Sequence, residues 1–289
     1  MRFIRPGSLA EISALAHEHE WDAKLISGGT AVVLMLQQGL ISPGVLISLD
    51  GLSDVPGWRD VVADDDGVRI GGGVRLADVA RSPDVRRVAP SLATAAGLVG
   101  NSRIRNAATL GGNVAEADYA SDPPAVLVAV DAQVEVRDGD AVRTVPAADI
   151  FTDFYTTDLR TGEVVTAVHV PTPESGTRSS YTKYCSRSAE DRPCVGIATR
   201  LRLEDGALAA LEVVVGAVAG TPQRWPDVTS AVLGRRLDET TAAQVAEGCA
   251  ASMNPLDDAR GSGWYRREVV RVLVRRSLLE LAVDGSGRP

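Results

Sequence analysis

The 289-residue sequence has three cysteines, Cys185, Cys194 and Cys249, and no Cys-x-x-Cys pair. An odd count without that spacing argues against a disulfide framework and against an iron–sulfur cluster held by this chain. Histidines are just as scarce. His17 and His19 point to different faces of one amphipathic helix and His169 lies inside a strand, so no metal site is expected. No apolar run approaches the roughly 20 residues that span a bilayer. The longest candidate, Leu208 to Gly220, contains Glu212 and ends at Thr221-Pro222. Arg2 and Arg5 are followed by Glu11, His17, Glu18 and Glu20 rather than by the apolar stretch of an export signal, so a cytoplasmic location is expected. Positive charge is in deficit too. A net charge of −8 works against binding nucleic acid or an acidic membrane surface. The one basic segment, Arg266-Arg267 to Arg275-Arg276, alternates with Val269, Val270, Val272, Leu273 and Val274 and reads as the wet face of a helix. Aromatics are only 4% of residues, which leaves Val, Leu, Ile and Ala to build the core.

What the chain does contain is ordinary globular material, 45% hydrophobic and 24% charged, in a length sufficient for two domains. Ser8 and Glu11 form a capping box for a helix to about His19. Lys24-Leu25-Ile26, Ala31 to Gln38 and Val45 to Leu49 then read as strand, helix and strand, a small β-α-β-like unit of about fifty residues. Further elements are expected at Val68 to Ile70, Leu76 to Arg81, Pro90 to Leu98, Pro123-Pro124 to Val130, Gln133 to Val136, Val142 to Val145 and Val164 to Val170. Pro171 to Gly176 is the best linker. Beyond it come three long strands, Tyr181 to Ser186, Val195 to Leu203 and Leu208 to Val218. Three helices follow, near Asp227 to Leu233, Thr240 to Ala251 and Trp264 to Ala282, which is the rhythm of an α+β domain.

Two glycine-bearing loops carry the chemistry. Ile26-Ser27-Gly28-Gly29-Thr30 closes a buried strand, and Thr109-Leu110-Gly111-Gly112-Asn113 follows an apolar stretch. Paired glycines can adopt positive φ and present successive backbone N–H groups with no Cβ in the way, a nest that binds anions. Two nests suit a diphosphate. Neither contains the lysine of a Walker A loop, and neither is G-x-G-x-x-G in a βαβ unit. Taken by their spacing alone, both could equally be tight turns.

The stretch Asn101-Ser102-Arg103-Ile104-Arg105-Asn106-Ala107-Ala108-Thr109-Leu110-Gly111-Gly112-Asn113, with Asp122 nearby, resembles the signature of the molybdenum-hydroxylase flavoprotein family. These are the FAD-binding (medium) subunits and domains of complexes such as carbon monoxide dehydrogenase and xanthine dehydrogenase. Ser27-Gly28-Gly29-Thr30 resembles the family's Ala-Gly-Gly-Thr loop, with Ser27 in place of Ala. Tyr181-Thr182-Lys183 with Glu190-Asp191-Arg192-Pro193, and Gly261 to Arg267, resemble its later segments. The similarity covers nearly the whole chain, in the family's order.

That resemblance implies an α+β chain. A two-part FAD-binding domain of the p-cresol methylhydroxylase/vanillyl-alcohol oxidase type is expected over 1–173, with subdomains of about 1–52 and 53–173. A C-terminal α+β domain with a three-stranded antiparallel sheet is expected over 177–289. It implies cofactor contacts at Lys24, Leu25, Ile26, Ser27, Gly28, Gly29, Thr30 and Ala31, and at Thr109, Leu110, Gly111, Gly112 and Asn113. Asp122 would accept from sugar-alcohol hydroxyls of the flavin, or cap the helix that Pro123-Pro124 opens, or both, one oxygen each. Lys183 would face the flavin; otherwise it is a solvated lysine on an edge strand. Val165 falls where relatives place an aliphatic residue against the cofactor, and without the family it is plain strand core; Val99 stands at a similar position, where some relatives have an aromatic. Arg103 and Arg105 hold the loop rather than act on substrate. The implied activity is electron relay. A large molybdenum-cofactor subunit oxidises the substrate, a small [2Fe-2S] subunit carries electrons onward, and FAD on this chain delivers them to NAD, a quinone or oxygen. The alternative is a stand-alone flavin-dependent oxidoreductase of the same fold, against which the lack of a histidine in any flavin motif counts.

Overall fold

The computed structural model describes residues 1–283; residues 284–289 of the expected C-terminal segment lie outside the described residues. The chain begins with β1 (Arg2–Ile4), α1 (Leu9–His19), β2 (Ala23–Ile26), α2 (Val32–Gln37) and β3 (Val45–Ser48). The strands form a parallel sheet in the order β1-β3-β2. Central β3 is buried along its whole length, as a parallel strand covered on both faces must be. Leu9, Ile12 and Ala16 of α1 pack on Val45, Ile47 and Leu49. The cap of α1 differs from the simple box: Ser8 accepts from Glu11 N, but Glu11 reaches back to Gly7 N, one residue earlier than expected. Strand β1 has only three residues, too few for a periodicity to reveal it.

The next segment contains β4 (Val61–Ala63), β5 (Gly67–Gly71), α3 (Leu76–Arg81), α4 (Pro83–Val88), α5 (Pro90–Leu98), α6 (Ser102–Arg105), α7 (Leu110–Glu116) and α8 (Pro123–Ala129). It continues with β6 (Gln133–Asp138), β7 (Ala141–Pro146), α9 (Ala147–Ile150), β8 (Phe151–Asp153), β9 (Thr156–Thr157) and β10 (Val164–Pro171). An antiparallel sheet of order β4-β5-β10-β6-β7 carries α3, α5 and α8, whose Leu76, Val79, Leu92, Val126 and Leu127 join Val68, Ile70, Val134 and Val168 in one core. The glycine run Gly71-Gly72-Gly73 is a packing device. A Cβ on Gly72 would lie 2.1 Å from Val165 O, and one on Gly73 would lie 2.6 Å from the Trp58 ring.

Beyond the linker, β11 (Thr177–Tyr184), β12 (Val195–Glu204), β13 (Ala207–Gly216) and the two-residue β14 (Gln223–Arg224) form an antiparallel sheet in that order. The three long strands are those expected, and β14 adds a short edge. Asp205 and Gly206, both at positive φ, make the two-residue turn between β12 and β13. Helices α10 (Pro226–Ser230), α11 (Glu239–Ser252) and α12 (Gly263–Ala282) follow. Val245, Cys249, Val270, Val274 and Leu278 of the last two pack on Ile197, Leu201, Val213 and Val215. The other face of this sheet, through Tyr181, Ala198 and Val214, belongs to the core that holds α5 and α8. Both faces are therefore covered, and β11 is set against the first 173 residues. Arg266 of the Gly261–Arg267 motif is fully buried. It donates to Ala217 O at 3.0 Å and pairs with Asp258 at 2.6 Å, anchoring α12. Burial would raise the Asp258 carboxyl, but hydrogen bonds from Arg260 and Arg266 hold it well below the usual carboxylate range. Among the described residues no helix is long and apolar enough to cross a membrane, and no cluster of His, Cys, Asp or Glu could hold a metal ion.

Candidate functional site

A cleft of about 650 Å³ runs between the three-stranded sheet, the helix-bearing segment and β11, within the size range of sites for cofactors. Both glycine segments open onto it, but they are built differently. The first is a loop. Gly29 sits at φ +72, and the N–H groups of Gly28, Gly29, Thr30 and Ala31 have no acceptor among the described residues. Lys24, which makes no ion pair among those residues, lies on the strand leading into the loop.

The second segment is not the positive-φ nest its paired glycines suggested. Thr109 caps α7, and Gly111 and Gly112 form the first turn of that helix. Its donors are spent internally: Leu110 N on Val74 O, Gly111 N on Gly72 O, Gly112 N on Thr109 Oγ1 and Asn113 N on Thr109 O. What it offers the cleft instead is absence of bulk at Gly112 and one polar atom at Asn113. The amide of Asn113 donates to Ser121 Oγ at 2.8 Å, while its buried Oδ1 has no partner. A buried carbonyl oxygen left without a donor calls for one from a ligand.

Asp122 is 2% exposed at the head of the cleft. It does not cap α8: no helix N–H reaches its side chain. One oxygen accepts from Tyr181 Oη at 2.8 Å, the other from Lys183 Nζ at 3.0 Å. The local cap is disfavoured because Asp122 has helical dihedrals, φ −75 and ψ −46, and Pro123 and Pro124 have no N–H to offer, so both oxygens serve tertiary partners. Burial pushes the Asp122 carboxyl up, against the opposing effects of Lys183 and Tyr181. Lys183 is accordingly no solvated edge-strand lysine, since its side chain is 5% exposed. It also donates to Leu98 O at 2.8 Å, fixing the end of α5 just before Val99. Glu116, further along the cleft wall, has its carboxyl raised by burial, with Lys24 opposing.

Of the seventeen residues implied by the resemblance, the cleft is lined by Lys24, Leu25, Ser27, Gly28, Gly29, Thr30, Ala31, Val99, Thr109, Gly111, Gly112, Asn113, Asp122, Val165 and Lys183. Ile26 and Leu110 do not line it. Ile26 turns beside Gly29 and Val33, and Leu110 is fully buried in the main core. Arg105 fixes the loop as expected, donating to Val99 O and Gly100 O, whereas Arg103 is exposed. The sequence reading missed Tyr181 as a site group, although it lies two positions from Lys183 on one strand and so on the same face. It also missed the wall from Thr157 to Val164. That wall is pinned by Arg143, which binds Glu163 at 2.7 Å and Asp158 at 2.6 Å from across the sheet, a link with no local signal.

A two-part fold, a long cleft floored by glycines and an orphaned acceptor define a protein built to hold an extended cofactor. Residues 1–173 match the family described as the FAD binding domain in molybdopterin dehydrogenase, and residues 180–281 match the CO dehydrogenase flavoprotein C-terminal domain. The chain therefore belongs to the FAD-binding subunit family of the molybdenum hydroxylases. It is 30% identical over 280 residues to the glyceraldehyde dehydrogenase medium chain of Sulfolobus acidocaldarius, covering 97% of this chain and 98% of that one. To the nicotine 6-hydroxylase medium subunit of Paenarthrobacter nicotinovorans it is 32% identical, covering 97% and 96%. A solved carbon monoxide dehydrogenase of Hydrogenophaga pseudoflava superposes with a TM-score of 0.92 at 30% identity, over 98% of this chain and 96% of that one. The expected fold, a FAD-binding domain followed by an α+β domain, is the one found, and the protein is a subunit of an oxidoreductase.

Proposed function

We propose that this chain is an electron relay. It takes electrons from a small [2Fe-2S] subunit, reduced in turn by a large molybdenum-cofactor subunit, and hands them to an external acceptor such as NAD, a quinone or oxygen. The single observation that carries the reading is that one cleft gathers both glycine segments, Asp122 and Lys183, from parts of the chain far apart in sequence. When bound, FAD supplies a centre that can be loaded by one electron at a time and discharged by two.

The chain's own residues divide the work of holding it. The free N–H groups of Gly28 to Ala31 receive the diphosphate, with Lys24 nearby as a cation. Gly112 lets the cofactor approach the backbone of α7, and Asn113 Oδ1 accepts from it. Val165 and Val99 supply apolar wall at two places in the cleft. Asp122 and Lys183 present a buried charge pair at its head. Substrate oxidation falls, in this reading, to the large subunit. A cytoplasmic location is in keeping with three free thiols.

Co-expression with its large and small partner subunits tests this. The expected result is a complex whose visible absorbance reports bound FAD, bleached by substrate and restored by one of the three acceptors. A purified single chain that oxidises an organic substrate by itself would refute the relay and favour a stand-alone oxidoreductase.

A further inference from the structure

Tyr181 has no part in the assignment of cofactor contacts, yet its surroundings are built around its hydroxyl. The residue is 7% exposed. Its phenol donates to Asp122 Oδ1 at 2.8 Å, while Lys183 Nζ holds Oδ2 at 3.0 Å. Both donors project from one face of β11, and the acceptor lies in the turn before α8. Strand β12 carries Gly196 opposite Lys183, and a Cβ there would come within 2.5 Å of the Tyr181 hydroxyl. Glycine is thus required where the phenol oxygen sits.

The consequence is electrostatic. The Asp122 and Lys183 side chains are 3% and 5% exposed, so their charges are poorly screened. Paired, they present little net charge to the cleft. Unpaired, Lys183 would present a full positive charge. Which of these holds depends on whether the buried carboxyl keeps its negative charge. Burial opposes the anion, Lys183 and then Tyr181 favour it, and Asp118 on the preceding turn, itself paired with Arg192 at 3.0 Å, repels it. Cys185, further along the β11 chain, also bears on this site, but burial pushes its thiol up and keeps it neutral.

We propose that Tyr181 is a positioning residue which, by holding Asp122 as the counter-charge of Lys183, sets the reduction potential of the FAD in this cleft. The inference rests on the reading that FAD occupies the cleft. Without the phenol's donation, Asp122 is held less firmly as an anion, because one of the two hydrogen bonds opposing its burial is gone. Lys183 is then less fully compensated and favours more strongly the negative charge that the cofactor gains on reduction.

The test is Tyr181→Phe in the full-length chain, with FAD content read from visible absorbance and the midpoint potential titrated from acidic to alkaline pH. The expected result is FAD content equal to wild type and a potential shifted positive, the shift largest at the low end of the pH range and shrinking as the pH rises, because a carboxyl raised by burial loses its charge as pH falls. A purely structural tyrosine would leave the potential–pH curve superimposable on wild type, and that result overturns the proposal. Asp122→Asn supplies an independent arm should the first variant not fold. It keeps an acceptor for the phenol but carries no charge, so a positive shift of equal size at every pH is expected. A flavin-replete Asp122→Asn chain with the wild-type potential overturns the proposal as well. A wild-type chain free of flavin would sink both this inference and the cofactor reading beneath it, whereas unmoved potentials in flavin-replete variants sink this one alone.

Discussion

The two Gly-Gly pairs look interchangeable in sequence and do different work in the structure. In Gly28-Gly29 the first residue is a contact surface. A Cβ on Gly28 would lie 2.0 Å from Ala107 O, so its bareness lets the first loop press on the backbone just ahead of the second. Gly29 supplies the left-handed turn, at φ +72. In Gly111-Gly112 neither residue needs positive φ. Gly111 packs back to back with Gly72, its would-be Cβ 2.9 Å from Gly72 Cα and 2.8 Å from Gly72 O. Gly112 faces the cleft, where a Cβ would meet only Thr109 Oγ1 at 2.9 Å and Ser27 Cβ at 3.9 Å. Each pair therefore contains one glycine that joins parts of the fold, and only one glycine of the four is needed for its dihedral angle. A glycine pair is not in itself evidence of an anion nest.

Substitutions can break this division of roles. Gly28→Ala carries the largest expected effect on the fold. The methyl would collide with backbone, which cannot step aside, so a loss of about 2–3 kcal/mol in denaturant unfolding is expected, together with loss of bound FAD. Unchanged stability would show that the two segments are not held together there. Gly29→Ala should cost about 1–2 kcal/mol, because an L-residue is forced into the left-handed region while space is available around it. A loss as large as that of Gly28→Ala would mean that packing, not dihedral angle, governs this position. Gly112→Val should have the smallest effect on stability, about 1 kcal/mol, through disturbance of the Thr109 cap. It should nevertheless abolish FAD retention by filling the approach to α7. A folded Gly112→Val chain that keeps stoichiometric FAD would remove this segment from the cofactor site.

Much of the architecture was readable beforehand for identifiable reasons. Helices α3, α5 and α8 were placed well because Pro90 and Pro123-Pro124 mark starts and apolar spacing marks the faces. Strands β12 and β13 were visible as long apolar runs. The reading went astray wherever tertiary contacts overruled a local preference. Thr109–Asn113 looked like a loop because glycine is a poor helix former, yet packing on Gly72 and the Thr109 cap make it helix. Asp122 looked like an N-cap, and side chains from β11 took both its oxygens.

By itself the sequence determined the order of elements, the glycine positions and, through motif resemblance spread over nearly its whole length, the family and its cofactor. These are local properties, carried by residue type and spacing. Only the tertiary structure decided which backbone donors stay free, which glycine serves contact rather than conformation, and that Asp122, Tyr181 and Lys183 form one buried set. Those outcomes depend on groups brought together from distant segments, and competition among distant partners leaves no trace in local pattern.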